Sequence, residues 1–189
     1  MTHPTIAFHL TVAQIFASQW FLMVVSYPAL VATIAGIVLW VRRRHTSANK
    51  KGKQLLGPIL TFSGLFGVLL PPALMVLLEV GAGWNYTSNV LTLNLRTEQG
   101  NIKIPLKGAK VQWINPNGGY ALDGKINGTN SPFLNAGVFQ LQNGDKANVL
   151  QYRSHPWLLI QYAGVNTLIS TPNVTQLYSI LHSVTPNQP

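Results

Sequence analysis

Few side chains in this 189-residue sequence are of types that do acid–base or nucleophilic chemistry, and their spacing is unfavourable. From residue 81 onward the carboxylates are Glu98, Asp123 and Asp145, and the imidazoles are His155 and His182. Paired-carboxylate hydrolysis needs two carboxyl groups about 5–9.5 Å apart, and acids this scattered give no reason to expect it. Ser154 and His155 are adjacent, but neighbours on an extended chain point to opposite faces, so the pair reads as a polar connection. A single His182 on a helix cannot satisfy a metal site, and the absence of cysteine removes thiolate nucleophiles and thiolate ligands. The expectation is therefore no enzyme, no catalytic residue, no cofactor and no metal. Trp113, Trp157, Tyr120, Tyr152 and Tyr162 are candidates for a ligand groove, but rings in a small β domain more often pack. Ligand-binding residues stay unassigned.

The elements that would position these residues differ sharply along the chain. Composition is 47% hydrophobic and only 9% charged, with a net charge of +9, against roughly 25% charged residues in an ordinary soluble domain. Residues 1–41 carry no Lys, Arg, Asp or Glu, whereas residues 42–54 hold six of the thirteen cations: Arg42, Arg43, Arg44, Lys50, Lys51 and Lys53. The uncharged run 20–41 is long enough, at 1.5 Å per residue, to match a hydrocarbon core of about 30 Å. Trp20 and Trp40 flank it as interfacial anchors would. A second run, 55–80, contains Pro58, Pro71, Pro72, Gly57, Gly64 and Gly67; Glu79 falls at its far end, where a carboxylate reaches interfacial water, and Trp84 and Tyr86 follow as expected interfacial anchors.

These runs predict a transmembrane helical hairpin, 20–41 and 55–80, with 42–54 as a basic cytoplasmic loop under the positive-inside rule. Residues 1–19 read as an apolar or interfacial segment, of which 5–19 either lie along the outer interface or extend the first helix beyond the bilayer. Ser63 and Gly67, at small-xxx-small spacing, mark a candidate close contact between the two helices or between copies of the chain. The lack of interleaved aromatics in the basic loop argues against nucleic acid as a partner.

From Val90 the apolar period changes to two. Leu91, Leu93 and Leu95, then Ile102, Ile104 and Leu106, predict a β-hairpin, and Lys110 to Ile114 a further strand. Gly137 to Gln142 and Lys146 to Tyr152 flank Asn143-Gly144, a dipeptide suited to a tight hairpin turn. Trp157 to Tyr162 and Val165 to Ser170 pair across Ala163-Gly164. Val174, Leu177, Leu181 and Val184 form one apolar stripe of a closing helix after Thr171-Pro172. Asn127-Gly128-Thr129, Gly137-Val138-Phe139 before the Asn143-Gly144 turn, the Val149–Tyr152 strand and Ile169-Ser170-Thr171-Pro172 together resemble the bacterial pleckstrin-homology-like (PH-like) family over roughly residues 88–184. That resemblance implies a seven-stranded antiparallel β-barrel capped by a C-terminal α-helix. It implies no enzyme activity and brings no family-wide site residues.

The expected fold is thus an N-terminal transmembrane hairpin followed by a PH-like β domain at 88–184 and a tail at 185–189. The expected function is a membrane-anchored, non-enzymatic recognition or scaffold module on the extracytoplasmic face of a multi-pass bacterial membrane protein. Its expected partners are the lipid bilayer and a protein or a second copy, met through edge strands or the barrel mouth. The alternative is an accessory subunit whose helical hairpin makes the main contacts in a membrane complex.

Overall fold

The structure, a computed structural model, describes residues 5–18, 20–45, 56–98 and 100–184. They divide into a β-rich unit, Met1–Thr11 with Leu78–Pro189, and a helical unit, Val12–Leu77.

The β-rich unit holds two sheets. The first contains β1 (Ile6–His9), β2 (Gly83–Thr87), β3 (Val90–Asn94) and β4 (Asn101–Pro105), all antiparallel and in that spatial order. Its apolar face follows from register: Phe8 lies opposite Trp84 and Trp84 opposite Leu93, while Tyr86 lies opposite Leu91 and Leu91 opposite Ile104. All six are buried. The second sheet contains β5 (Lys110–Ile114), β6 (Leu122–Asn130), β7 (Leu134–Leu141), β8 (Lys146–Tyr152), β9 (Trp157–Tyr162) and β10 (Val165–Ser170), in the spatial order β5-β9-β10-β8-β7-β6.

Two hairpins, β7–β8 and β9–β10, form the centre of this second sheet and meet through a parallel pair, β8 with β10. Parallel pairing has two consequences. Both hairpin turns emerge at the same end of the sheet, and the short 153–156 connection from β8 to β9 must cross the far end of β10. Ser170, the last residue of β10, donates its hydroxyl to the His155 carbonyl at 2.8 Å and ties that crossing down. Phe139, Leu141, Ala147, Val149, Trp157, Leu159 and Leu168 form one core cluster, with Ile114, Tyr120 and Leu122 packed against it. The two sheets touch where the rings of Phe8 and Tyr152 lie 6.0 Å apart.

The closing helix α4 (Val174–Val184) buries Val174, Leu177 and Leu181, three of the four stripe residues expected. Thr171 does not act as its cap. Its hydroxyl is buried and accepts a hydrogen bond from Trp84 Nε1 at 3.0 Å.

Several expectations are corrected here. There is no closed barrel: the second sheet has β5 and β6 as unpaired edges, joined by the 115–121 loop instead of by a ladder. Residues 6–9, expected near the membrane interface, form β1. Gly83–Thr87 forms β2, and Trp84 and Tyr86, expected as interfacial anchors, are 0% and 1% exposed in the core.

The helical unit contains α1 (Val12–Ser18), α2 (Trp20–His45, with Pro28 inside it) and α3 (Leu56–Glu79). Among the described residues, no helix is long and apolar enough to cross a membrane. This overturns the expected transmembrane hairpin, with the multi-pass membrane location and the extracytoplasmic placement that depended on it. Those expectations were drawn from the length of the uncharged runs and from the aromatic residues near their ends. The basic 42–54 loop lies mostly outside the described residues.

The helices α2 and α3 approach closely at small residues. A side chain at Gly64 would collide with Thr33 Oγ1 and the Ala29 carbonyl, and one at Gly67 would come within 2.9 Å of the Ala29 Cβ. Gly67 thus lies at the contact as expected. Ser63 is exposed and its hydroxyl donates to the Ile59 carbonyl of its own helix at 2.8 Å.

Candidate functional site

The end of the second sheet that carries both hairpin turns borders a groove. Asn143 and Gly144 turn β7 into β8, and Ala163 and Gly164 turn β9 into β10. Gly144, Ala163 and Gly164 all have positive φ, as tight turns require. Because β8 and β10 run parallel, their first residues lie side by side, and Asn166 falls opposite both Ala147 and Gln161.

A chain of side-chain hydrogen bonds crosses these strands. Gln161 Nε2 donates to Asn166 Oδ1 at 2.9 Å, and Asn166 Nδ2 donates to Asp145 Oδ2 at 3.3 Å. Asn143 Nδ2 also donates to Asp145 Oδ2, at 2.9 Å, and the Asp145 backbone N–H donates back to Asn143 Oδ1 at 3.0 Å. Asn166 is only 8% exposed, so the central amide of the chain is fixed by packing as well as by its partners.

The groove beside this chain has a volume of about 840 Å³, inside the range of roughly 300–1,000 Å³ found for ligand sites. Its polar lining residues are Asp145, Lys146, Asn148, Gln161 and Asn166, and its aliphatic ones include Ile102 of β4, Val138 and Val165; by register Gln161 and Asn166 share the sheet face of Ala147, while Asn148 and Val138 lie on the other face at the same end of the sheet. One acid and one ammonium leave the lining electrically neutral. No Ser, Thr, His or Tyr lines it.

Of the residues weighed from sequence, Asp145 lines the groove and the others lie elsewhere. Glu98 is exposed in the turn between β3 and β4, Asp123 is exposed on β6, and Ser154 and His155 belong to the connection that crosses β10. Trp157 and Tyr152 are buried and Tyr120 is half-buried against the core cluster. Trp113 is 40% exposed and packs on Tyr178 of α4 with ring centroids 4.8 Å apart, while Tyr178 stacks on His182 at 5.5 Å. No three His, Cys, Asp or Glu residues converge as metal ligands among the described residues. The groove residues Asn148, Gln161 and Asn166 were missed because a single amide carries no motif. The available signal was two polar residues, Gln161 and Asn166, placed symmetrically about the Ala163-Gly164 turn in otherwise apolar strands.

Three of the four edge strands described carry features that discourage strand addition. β4 carries Lys103 and Pro105, β6 has two register irregularities, and β1 is only four residues long. Charges, proline, bulges and shortness all discourage strand addition.

Glu79, expected at an interface with water, is 2% exposed. Burial pushes its carboxyl above the ordinary range, against a smaller opposing effect of the Ser131 hydroxyl bonded to it.

The helical unit presents a different surface. Tyr27, Leu30, Val31, Ile34 and Ile37 on α2 and Ile59, Phe62, Phe66, Leu74 and Leu77 on α3 are each at least 44% exposed. Comparison of the chain with family models, curated proteins and solved structures returns no match.

Proposed function

We propose that the β-rich unit is a non-enzymatic recognition module and that the groove beside the parallel β8–β10 pair is its binding site. The observation that carries this reading is the fixed hydrogen-bond chain Gln161–Asn166–Asp145–Asn143 along a neutral, partly aliphatic groove. Recognition needs donors and acceptors held in place before the ligand arrives, because ordering them on binding costs affinity. From the PH-like resemblance the reading keeps only a β domain closed by a C-terminal helix and used for binding.

The test is capture in cells. A photo-crosslinking residue in place of Lys146 is expected to trap a partner, and capture should fall at least tenfold when Gln161→Ala is added. Equal capture with and without Gln161→Ala would refute the site.

A second reading is favoured by the apolar side chains that α2 and α3 expose, since large contiguous apolar patches on a folded unit generally mark a docking surface. In it the chain is an accessory subunit, with a protein partner covering the helical pair. Size analysis of the purified chain decides: a stable hetero-complex supports this reading. A lone chain, or flotation with anionic lipid vesicles in place of a protein partner, counts against it.

A further inference from the structure

We propose that two copies of this chain pair through β5, an outer strand of the second sheet, in an antiparallel two-fold register centred on Gln112. The pairing surface is separate from the groove. β5 and β6 are the two edges of the second sheet, and β6 is interrupted by two register irregularities. β5, in contrast, pairs with β9 without a register shift, contains no proline and carries its single charge, Lys110, at its first position. An edge left unguarded in this way is a template for another strand.

The groups that β5 turns outward follow from the β9–β10 turn. Ala163 and Gly164 both have positive φ, so the tight turn closes with Tyr162 and Val165 as a hydrogen-bonded pair. Hydrogen-bonded and non-hydrogen-bonded pairs alternate along an antiparallel ladder. The main-chain groups of Gln161, Leu159 and Trp157 therefore point away from β10 and toward β5, where they meet Lys110, Gln112 and Ile114. This leaves the N–H and C=O of Val111 and Trp113 pointing away from the sheet. Among the described residues no turn or loop bonds to them.

Two outward-facing residues flanking Gln112 complement themselves. In the two-fold pairing, Val111 of each copy exchanges both main-chain hydrogen bonds with the second copy's Trp113, and Gln112 meets its own counterpart. Side chains fit the same register. Val111 and Trp113 share the sheet face on which Trp113 packs against Tyr178 of α4, and the indole is 40% exposed there. A β-branched valine directly opposite an aromatic ring is a favourable cross-strand pair. The exposed Gln112 meets an identical carboxamide, which offers both donors and an acceptor.

Charge and closure agree with a second copy as the occupant. Lys110 stands opposite the second copy's Ile114, so the two lysines lie at opposite ends of the pair, roughly 13 Å apart along the strands. That exceeds the screening distance of about 8 Å at physiological ionic strength. The contact uses the same patch on both copies and consumes both open edges, so it closes at two. The joined sheet then ends in β6 on either side, where the register irregularities oppose further addition.

The full chain is tested in a mild non-ionic detergent, which covers the apolar side chains of α2 and α3 and removes association through them. Sedimentation equilibrium should show a dimer. Gln112→Lys and Gln112→Glu each set like charges directly opposite one another and should weaken the dimer at least tenfold, while an equimolar mixture of the two should restore it. The sequence has no cysteine, so Gln112→Cys introduces one thiol per copy. At the centre of the pairing the two Cα atoms stand about 4.5 Å apart, within disulfide range, and mild oxidation should link the copies. Lys110→Cys, with its thiols at opposite ends, should not link them.

A wild-type chain that sediments as a monomer overturns the proposal, and so does a monomer that binds a strand-forming peptide at this edge. A dimer unchanged by both charged variants, or equal disulfide yields from Gln112→Cys and Lys110→Cys, overturns it as well. If circular dichroism shows either charged variant unfolded, the disulfide comparison decides.

Discussion

The indole Nε1 of Trp84 on β2 donates to the buried hydroxyl of Thr171, 87 residues away, at 3.0 Å. This bond links the first sheet to the segment that leads from β10 into α4. Trp84 and Thr171 are both fully enclosed, at 0% exposure, and a buried hydrogen bond loses more when one partner is removed than it contributes when intact.

Trp84→Phe is expected to lower stability by about 1–3 kcal/mol, through the lost ring volume and the stranded Thr171 hydroxyl. Combining it with Thr171→Val should cost less than the sum of the two single changes, because the stranded group is then absent. Urea denaturation followed by circular dichroism measures both. Strict additivity would show that the bond contributes nothing.

Glycine requirements at one strand pair give a second contrast. Gly128 and Gly137 lie opposite each other on β6 and β7, both with positive φ, and a side chain on Gly128 would come within 2.6 Å of the Gly137 Cα. A side chain on Gly137 would strike the Asn127 carbonyl. Gly137→Ala is expected to destabilise by at least about 2 kcal/mol, from strain and collision together. Gly124→Ala, on the same β6 with open space around it, should stay within roughly 1 kcal/mol of wild type. Similar denaturation midpoints for the two variants would contradict the close approach.

How much of this was legible in the sequence depends on the range of the interaction. The β3–β4, β7–β8 and β9–β10 hairpins follow from period-two apolar spacing and the turn residues between them. The parallel β8–β10 pair does not, because which hairpin edges meet is set by packing between distant segments. The groove exists only because of that pair, so it was equally hidden. Trp84 and Tyr86 were misread for a related reason: following an apolar run, they look like boundary aromatics until β1 is known to pair with β2 from 74 to 80 residues upstream.

The close approach of α2 and α3 is tested by crosslinking. The sequence has no cysteine, so Ala29→Cys with Gly67→Cys introduces one pair. Ala29 Cβ lies 2.9 Å from where a Gly67 Cβ would stand, and a small outward adjustment brings the two into the Cβ separation of about 3.5–4.5 Å that a disulfide needs. Mild oxidation should give an intramolecular disulfide, seen as faster migration on non-reducing gels. Ala29→Cys with Leu74→Cys, placed two turns further along α3, should not form one.

Glu79 makes stability depend on pH in a defined direction. Its carboxyl titrates above the ordinary range in the folded chain because of burial, so the folded state holds that proton more tightly than the unfolded state. Its contribution is therefore full below the ordinary carboxylate range and is lost as pH rises through the elevated folded value. Glu79→Gln should remove this dependence, being more stable than wild type at neutral pH, with the gap closing under acidic conditions. A gap that widens on acidification would reverse the assignment.

The buried amide at the centre of the groove's hydrogen-bond chain allows the sharpest test of that chain. Asn166→Asp changes no heavy-atom count, but it replaces the donor aimed at Asp145 Oδ2, now 3.3 Å away, with a second carboxylate oxygen. Two carboxylates at that distance in a site only 8% exposed cannot both ionise without cost, and the introduced group is pushed toward its protonated form. The variant should therefore lose about 1–3 kcal/mol at neutral pH and recover much of it as pH falls through the carboxylate range, since protonation restores a donor to Asp145. Asn166→Ala, which introduces no acid, should be destabilised without that recovery. Thermal melting of both variants from pH 4 to pH 8 distinguishes them, and parallel pH profiles would show that Asn166 does not face Asp145 as described.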